Sequence, residues 1–388
     1  MKIIYFTTAC QKDDYVSLSL AWRCALNTSI QNLNNRLIRM LGLTHEVEVI
    51  SFRPFSRKLC SLKKLEVEQK LEGKVSWHYA PIKRHRIERY LAAFLYTYKL
   101  FKKMNLKDAI VITETLNPKV LDCAKFFAKK YNLPIVGVCY NTPSGISGTN
   151  KAYTTSLLEK TKNLNGFITT TPGLNDLFNP LLSPSLTFPG VLENKYQEVD
   201  CSAYGQYFYY DGSLEEKFGI YELIEAFKLL NLEQYKLVIS GYHAEQEKLR
   251  IAIGKNNNII YLGNPSSDIV LSLINHAYIN INPRPFTEDF DRYLIPDNLI
   301  DYFGADNALT LTVKNHRFDK DFVDDVVWAD SNDVEDLVEA IRTCLSLTNQ
   351  QKEFMVRKAK SDAVKLYSMT NINRRTIAFL RQFLKQKD

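Results

Sequence analysis

The sequence predicts an α/β protein built from two Rossmann-like, doubly wound domains. Apolar, β-branched runs alternate with segments of helical periodicity along almost the whole chain. The connections between these segments are short, and repeated βαβ units of this kind form a parallel sheet covered on both faces. The chain of 388 residues is too long for one ordinary core and has the length of two domains.

In the first half, strands and helices alternate from the N-terminus onward. The predicted strands are KIIYFTTA, EVEVISF, VSWHYA, AIVITE, PIVGVCY, GFITTT and SLTFPG. The predicted helices are IQNLNNRLIRMLG, the segment from Ile87 to Met104, PKVLDCAKFFAKKY and KAYTTSLLEKTKN. The segment TTACQKDDYVSL, after the first strand, is predicted to be a loop.

The second half repeats the same alternation. The predicted strands are YFYYDG, YKLVISGY, IIYLG, YININP, ALTLTV and VVWAD. The predicted helices are GIYELIEAFKLL, AEQEKLRIAIG, SDIVLSLINHA, PDNLIDYFG and DVEDLVEAIRTCL, followed by the long helical segments 350–367 and 371–387. Turn and polar residues in ENKYQEVDCSAYG mark a domain boundary. The predicted domains are therefore 1–190 and 191–366, with a C-terminal helix in 367–388 that packs back toward the first domain.

Positive charge is concentrated in the first domain. Residues 1–190 contain 27 Lys and Arg against 13 Asp and Glu, whereas residues 191–388 contain 23 against 30. A basic half fits a phosphorylated ligand, an anionic membrane surface or nucleic acid. No zinc-finger, helix-turn-helix or RNA-recognition signature accompanies the charge, so no nucleic-acid partner is predicted.

Other features of the composition indicate a cytoplasmic globular protein. No apolar run approaches the roughly 18 residues that a membrane-spanning helix needs. The N-terminal MKIIYFTTACQKDD is typical of a first buried strand rather than a signal peptide. The seven cysteines show no CxxC spacing, which predicts reduced, packed thiols rather than disulfides or a zinc site.

The stretch NPRPFTEDFDRYLIPDNLIDYFG, from Asn282 to Gly304, draws attention to one possible ligand site. It places an arginine between two prolines after an apolar run, then a charged loop and the start of a helix. A strand that ends in such a loop and leads into a helix is a common place to bind an anion. Two Rossmann-like domains in tandem also place the carboxyl ends of their strands opposite one another, so the ligand is expected in the cleft between them.

The motif order of the second half resembles that of family-four glycosyltransferases of the GT-B fold, of the bacterial capsule and exopolysaccharide type. The motifs are DGSLEEKFGIYELIEAF, LVISGY, IIYLGN, NPRP and YLIPDNLIDYFGA. In the first half, GVCYNTPSGISG and FPGVLEN resemble family segments more loosely. The resemblance implies an N-terminal acceptor-side domain that faces a C-terminal nucleotide-sugar domain across a cleft.

The resemblance also implies the chemistry. A retaining enzyme of this family would move a sugar from a nucleotide-diphosphate donor, expected to be a UDP-sugar, without an obligatory metal or other cofactor. The acceptor would be a bacterial surface glycan or a lipid-diphosphate-linked acceptor. Fixed basic groups and a helix N-terminus would stabilise the negative charge that grows on the leaving diphosphate.

Arg284 and Asp301 are the predicted catalytic residues. The guanidinium of Arg284 suits paired phosphate oxygens, although a surface ion pair is the alternative for this residue. Asp301 stands at the position of the family glutamate that accepts hydrogen bonds from ribose hydroxyls. Arg284 and Asp301 also belong to the predicted donor-binding set, whose other members are Gly212, Ser213, Gly241, His243, Arg292, Asp297, Asn298 and Leu299.

Several residues depart from the family pattern. Asn298 replaces the lysine of a PSK segment, Asp297 replaces its serine, and Asn141 stands at a family aspartate. Asp297 also has an ordinary alternative role as the N-cap of its helix. The first two changes shift the local charge by two units in the direction that disfavours a diphosphate. They favour a second hypothesis, in which the protein is a non-catalytic GT-B subunit that binds and positions a partner glycosyltransferase or a glycan.

Two basic segments, RKLCSLKK and KRHRIERYLAAFLYTYKLFKKM, contain much of the positive charge of the first domain. In the second segment, one predicted apolar stripe comprises Ile87, Leu91, Phe94, Tyr98 and Phe101. Basic residues lie at its two ends, namely Lys83, Arg84, Arg86, Lys102 and Lys103. The helix either packs on its own sheet or meets anionic lipid headgroups at the inner face of the plasma membrane as a peripheral surface element.

Overall fold

The computed structural model describes residues 1–22, 28–54, 65–83, 85–143, 150–241, 246–296, 298–314, 318 and 320–384. Contacts within the chain divide it into two compact units. The first unit comprises Met1–Val191, Arg292–Ile295 and Met369–Asp388, and the second comprises Leu192–Asp291 and Pro296–Ser368. The short segment Arg292–Ile295 therefore belongs to the first unit although its sequence neighbours belong to the second.

The first unit contains one eight-stranded sheet. Its strands are β1 (Lys2–Thr7), β2 (Val47–Ser51), β3 (Glu68–Glu72), β4 (Val75–Tyr79), β5 (Ala109–Glu114), β6 (Ile135–Cys139), β7 (Gly166–Thr169) and β8 (Ser185–Thr187). Their order is β3-β4-β2-β1-β5-β6-β7-β8, and every neighbouring pair is parallel except β3 and β4. Because β2 lies on one side of β1 and β5 on the other, the carboxyl ends of β1 and β5 form the topological switch point.

The helices of the first unit are α1 (Lys12–Trp22), α2 (Thr28–Gly42), α3 (Arg86–Phe101), α4 (Pro118–Lys130), α5 (Lys151–Thr161) and α6 (Pro172–Phe178). The prediction of a loop over TTACQKDDYVSL is wrong in part, because α1 begins at Lys12. Asp13 and Asp14 lie in its first turn, where carboxylates complement the helix dipole. The strand β3 was not predicted because EQKLE has no apolar alternation, and it pairs with β4 as an edge hairpin.

The second unit contains a fully parallel six-stranded sheet. Its strands are β9 (Tyr207–Asp211), β10 (Lys236–Ser240), β11 (Ile259–Tyr261), β12 (Ile279–Asn282), β13 (Leu309–Val313) and β14 (Val327–Ala329). The order β11-β10-β9-β12-β13-β14 is that of a Rossmann sheet. Its switch point lies between β9 and β12.

The remaining helices are α7 (Ile220–Leu230), α8 (Gln246–Ile253), α9 (Ser267–His276), α10 (Glu288–Asp291), α11 (Asn298–Phe303), α12 (Val334–Ser346), α13 (Asn349–Tyr367) and α14 (Met369–Arg381). The helix α14 belongs to the first unit, where it packs against α2 and β8. The strands predicted in both halves are confirmed, as are the predicted helices, whereas the short helices α6 and α10 were not predicted.

Each sheet is buried by its helices. The strand β5 is buried at all six positions, as expected for a central strand of a parallel sheet. On one face, Phe101 of α3 and Phe127 of α4 stack with ring centroids 4.6 Å apart. The cysteines that the structure describes are buried free thiols, in agreement with the prediction: Cys10, Cys123, Cys139, Cys201 and Cys344.

Within the described part of the chain, no helix combines the length and apolar character that a membrane crossing requires. In the same residues, no three His, Cys, Asp or Glu side chains lie close enough together to hold a metal ion.

Candidate functional site

The turn that follows β9 packs tightly against the end of β12 at the switch point of the second sheet. Gly219, with φ at 77°, ends this turn. A Cβ atom on Gly219 would lie 2.2 Å from the carbonyl oxygen of Pro283, so only glycine allows this approach. Tyr210 Oη donates a hydrogen bond to the Ser213 carbonyl oxygen at 2.5 Å and closes the start of the same turn.

Two of the predicted glycines are in direct contact. A Cβ atom on Gly241, which has φ at 137°, would lie 1.8 Å from the carbonyl oxygen of Gly212. The amide of Gly241 donates to the Gly263 carbonyl oxygen at 2.7 Å, which fixes the end of β10 beside this contact. The structure therefore brings Gly212, Ser213 and Gly241 together at the carboxyl ends of β9 and β10.

The helix α11 reaches the same strand end through two polar side chains. Asn298 Nδ2 donates to the Asp211 carbonyl oxygen at 2.7 Å, and the Asp211 amide donates to Tyr302 Oη at 2.8 Å. Asn298 therefore joins the Gly212 turn, and its uncharged amide occupies the place where the resemblance has a lysine. Leu299, also on α11, is fully buried in the second unit, and its predicted role in donor binding stays a prediction.

Asp301, the predicted ribose ligand, lies on α11 and is 7% exposed. Its Oδ1 accepts a hydrogen bond from the amide of Glu193 at 3.3 Å. Both residues belong to the second unit. The carboxylate thus helps to fix the chain at Glu193, and its predicted role toward a ribose stays a prediction.

Arg284 forms a buried ion pair. Its Nη2 lies 2.6 Å from Asp291 Oδ1, and the two side chains are 6% and 2% exposed. Asp291 Oδ2 accepts a hydrogen bond from the Thr287 amide at 2.9 Å, so the carboxylate also closes the loop after β12. Arg284 therefore forms an ion pair, as the alternative states, but the pair is buried and does not lie at the surface. Nothing in the sequence distinguishes Asp291 from the other acidic residues of this loop.

Arg292 belongs to the first unit, where it contacts the N-terminal end of α6. Its carbonyl oxygen accepts a hydrogen bond from Thr171 Oγ1 at 2.8 Å, and its guanidinium lies 3.6 Å from Asp176 Oδ2. Gly173 allows this packing, because a Cβ atom there would lie 2.3 Å from the Arg292 carbonyl oxygen. His243 and Asp297, the other predicted binding residues, lie outside the described residues.

A chain of hydroxyl groups holds the side chain of Asp211, which was not among the predicted residues. Ser240 Oγ donates to Asp211 Oδ1 at 2.5 Å and lies 2.6 Å from Tyr209 Oη. Burial raises the pKa of the Tyr209 phenol well above its ordinary value, so this hydroxyl keeps its proton. A carboxylate at the last position of a central strand, before a glycine turn, is the signal that could have identified Asp211.

The switch point of the first sheet also contains a buried acid. Glu114 is the last residue of β5, and its Oε2 accepts hydrogen bonds from Thr7 Oγ1 at 3.1 Å and Thr8 Oγ1 at 3.2 Å. The side chain is 1% exposed, and burial raises its pKa from 4.5 to about 7. Glu114 could not be identified from the sequence, because a single glutamate at a strand end is not a motif.

The comparisons with known proteins agree with this fold. No protein-family model and no curated protein matches the sequence. Among solved structures, sucrose-phosphate synthase from Thermosynechococcus elongatus is similar with a TM-score of 0.68 and 11% identity, over 99% of this chain and 100% of that chain. The α,α-trehalose 6-phosphate synthase from Burkholderia multivorans is similar with a TM-score of 0.63 and 9% identity, over 100% and 99% of the two chains.

A third similar structure, trehalose-6-phosphate from E. coli bound with UDP-2-fluoro glucose, has a TM-score of 0.67 and 11% identity, over 98% of this chain and 99% of that chain. At such low identity, the likeness establishes the fold alone. The chain has the GT-B fold, with two Rossmann-like domains, as the sequence predicted.

Proposed function

We propose that this protein is a retaining glycosyltransferase that moves a sugar from a nucleotide-diphosphate donor, a UDP-sugar, to a bacterial surface glycan or a lipid-linked acceptor. The observation that carries the proposal is the switch point of the second sheet, where Gly212, Ser213, Gly241 and Asn298 meet. Similar structures are synthases of sugar phosphates, and one of them has UDP-2-fluoro glucose bound.

In this proposal, the second unit binds the donor. The turn after β9 offers its backbone to the phosphates, and Gly212 allows a close approach. Arg284 contributes positive charge beside that turn, and Asp301 accepts hydrogen bonds from ribose hydroxyls. The donor is a substrate, and the chemistry that these residues supply is fixed charge and orientation, without an obligatory metal.

A nucleotide-release assay tests the proposal. Purified protein is incubated with a panel of nucleotide sugars, with and without glycan or lipid-linked acceptor fractions, and free nucleotide is measured. We expect release with at least one donor, and we expect Asp301→Asn to lower the rate by about tenfold or more, because a lost hydrogen bond to a charged group costs about 1.5–3 kcal/mol. A matched exposed change, Glu159→Gln, should leave the rate unchanged. Absence of release with every donor and acceptor would contradict the proposal.

A second function is favoured by the charge balance at the site. Asn298 is uncharged, and the charge of Arg284 is balanced by Asp291. These features suit a non-catalytic GT-B subunit that positions a partner glycosyltransferase or a glycan. In that case the protein would release no nucleotide alone but would raise the activity of a co-purified transferase.

We also propose that α3 contacts the inner membrane surface. Ile87, Leu91 and Leu95 recur every four residues and are 83%, 57% and 49% exposed. The predicted stripe therefore needs correction, since Phe101 is only 1% exposed and belongs to the core. Lysines lie at the C-terminal end of α3 and of α4, namely Lys99, Lys102, Lys103, Lys129 and Lys130, and the ammonium of Lys130 is 4.4 Å from the ring centroid of Tyr98 on α3. The segment RKLCSLKK and Arg84 lie outside the described residues.

Vesicle co-sedimentation tests the membrane proposal. We expect the protein to sediment with anionic vesicles, less with neutral vesicles, and less as salt rises, because salt screens the lysines. The triple change Ile87→Ser, Leu91→Ser and Leu95→Ser should weaken binding by about tenfold or more, because it removes apolar surface that would enter the interface. Because these side chains are exposed, the melting temperature should change little.

The matched control removes exposed apolar side chains from the second unit, with Leu229→Ser and Ile251→Ser, which are 67% and 72% exposed in the native protein. This control should sediment like the native protein. Equal sedimentation of the native protein with anionic and neutral vesicles would contradict the membrane proposal.

A further inference from the structure

Tyr302, on α11, holds the end of β9 through its phenol. Its Oη accepts a hydrogen bond from the Asp211 amide at 2.8 Å, and the residue is only 1% exposed. Burial raises the pKa of this phenol well above its ordinary value, so the hydroxyl keeps its proton. Thr310 Oγ1, on β13, donates to the Tyr302 carbonyl oxygen at 3.1 Å, so the backbone that carries the phenol is itself fixed to the sheet.

Asn298 holds the same strand end from a position four residues earlier on α11. Its Nδ2 donates to the Asp211 carbonyl oxygen at 2.7 Å, so the amide and the carbonyl of Asp211 are both bonded to α11. Positions four apart on a helix are neighbours on its surface, which explains why the two side chains reach one residue. Tyr302 and Asn298 together therefore fix the backbone at Asp211.

The fixed backbone leads directly into the turn that the donor phosphates would approach. Gly212 follows Asp211, and a Cβ atom on Gly212 would lie 3.1 Å from Tyr210 Oη and 3.8 Å from Asn298 Nδ2. Tyr210 Oη also donates to the Ser213 carbonyl oxygen at 2.5 Å. The start of the turn thus packs against polar side chains of β9 and α11, and its conformation depends on where they lie.

We propose that Tyr302 is a positioning residue for the nucleotide donor, whose phenol holds the Asp211 backbone and thereby the Gly212 turn in the conformation that receives the phosphates. The proposal rests on the donor site proposed above and adds one residue to it. Tyr302 acts through the turn, because its hydroxyl is bonded to the Asp211 backbone. Without this hydroxyl, the turn would adopt the receiving conformation for a smaller fraction of the time, and the apparent affinity for phosphate would fall by that fraction.

Calorimetric titration of UDP tests this role on three proteins. These are the native protein, Tyr302→Phe, which removes only the hydroxyl, and the matched control Tyr207→Phe. Tyr207 lies at the opposite end of β9, is 1% exposed and donates from Oη to the Leu273 carbonyl oxygen at 2.8 Å. We expect Tyr302→Phe to bind UDP about tenfold more weakly, equivalent to about 1.4 kcal/mol, and Tyr207→Phe to bind it like the native protein. The urea midpoint should fall similarly in both variants, because each loses one buried hydrogen bond.

Uridine distinguishes a positioning role from a general loss of structure. It has the base and the ribose but no phosphate, and its affinity is measured by displacement of UDP. We expect Tyr302→Phe to bind uridine as the native protein does, because only the phosphate contacts depend on the turn. Equal weakening of uridine and UDP in Tyr302→Phe, an unchanged UDP affinity in this variant, or an equal loss in Tyr207→Phe would overturn this inference alone. Failure of the native protein to bind UDP would overturn it together with the proposed function.

Discussion

Replacing Arg284 with alanine is expected to lower the free energy of unfolding by about 3–5 kcal/mol, because it leaves a buried carboxylate without its cation. Asp291 is 2% exposed as a side chain and lies 2.6 Å from the guanidinium. Its second oxygen accepts a hydrogen bond from the Thr287 amide, so the carboxylate cannot rotate into solvent without losing this hydrogen bond. Urea unfolding of the native and variant proteins measures the difference.

Two further variants distinguish the loss of the buried ion pair from the loss of an arginine side chain as such. Arg284→Met with Asp291→Leu removes both charges and should recover most of the lost stability, since well-packed apolar residues often replace a buried ion pair without cost. Arg292→Ala removes an exposed arginine whose partner is 3.6 Å away, so it should cost less than about 1 kcal/mol. A loss below about 1 kcal/mol in Arg284→Ala would contradict the buried pair.

The protein is expected to lose stability as pH rises from about 4.5 to 7, because of Glu114. Burial raises the pKa of this carboxyl from 4.5 to about 7 in the folded protein. Below pH 4.5 the group is neutral in both states and its contribution is fully present. Between pH 4.5 and 7, Glu114 is ionised in the unfolded chain but still protonated in the folded protein, so the free energy of unfolding falls as pH rises. The contribution of Glu114 to stability is lost once pH passes about 7. The expected loss is about 3 kcal/mol.

Glu114→Gln isolates this effect. Glutamine keeps the shape of the side chain and an oxygen that accepts from Thr7 and Thr8, but it does not ionise. The variant should therefore be more stable than the native protein at pH 8, and the decline between pH 4.5 and 7 should shrink. Glu159→Gln, at an exposed position of the same unit, should keep the native decline. Parallel curves of unfolding free energy against pH for the native protein and Glu114→Gln would show that Glu114 does not cause the decline.

Most of the fold could be predicted because its signals are local. Parallel strands such as β5 are continuous apolar runs, and helices such as α12 show a clear apolar period. The elements that were not predicted also have local explanations. The strand β3 is polar because it lies at a sheet edge, and α1 follows its strand after a short link without a glycine or proline to mark its start.

The sequence identifies the glycines that lie together at the end of β9, but not the groups that pair with the charged residues. Gly241 and Gly212 are recognisable because a glycine at a strand end permits a close backbone approach. The partners Asp291 and Glu193 were not recognisable, because they depend on how loops fold onto Arg284 and Asp301. Ser240 was missed for the same reason, since a serine that ends a strand has no motif of its own.

The proposed function requires that the native protein bind a nucleotide. Isothermal titration with a panel of nucleoside diphosphates and nucleotide sugars, up to millimolar concentration, measures this on the unmodified chain. We expect binding of a uridine nucleotide with a dissociation constant of about 10 μM to 1 mM, a binding free energy of roughly 4–7 kcal/mol, and loss of this binding in Asp301→Ala. No detectable heat with any nucleotide at millimolar concentration, together with no sugar transfer, would contradict it.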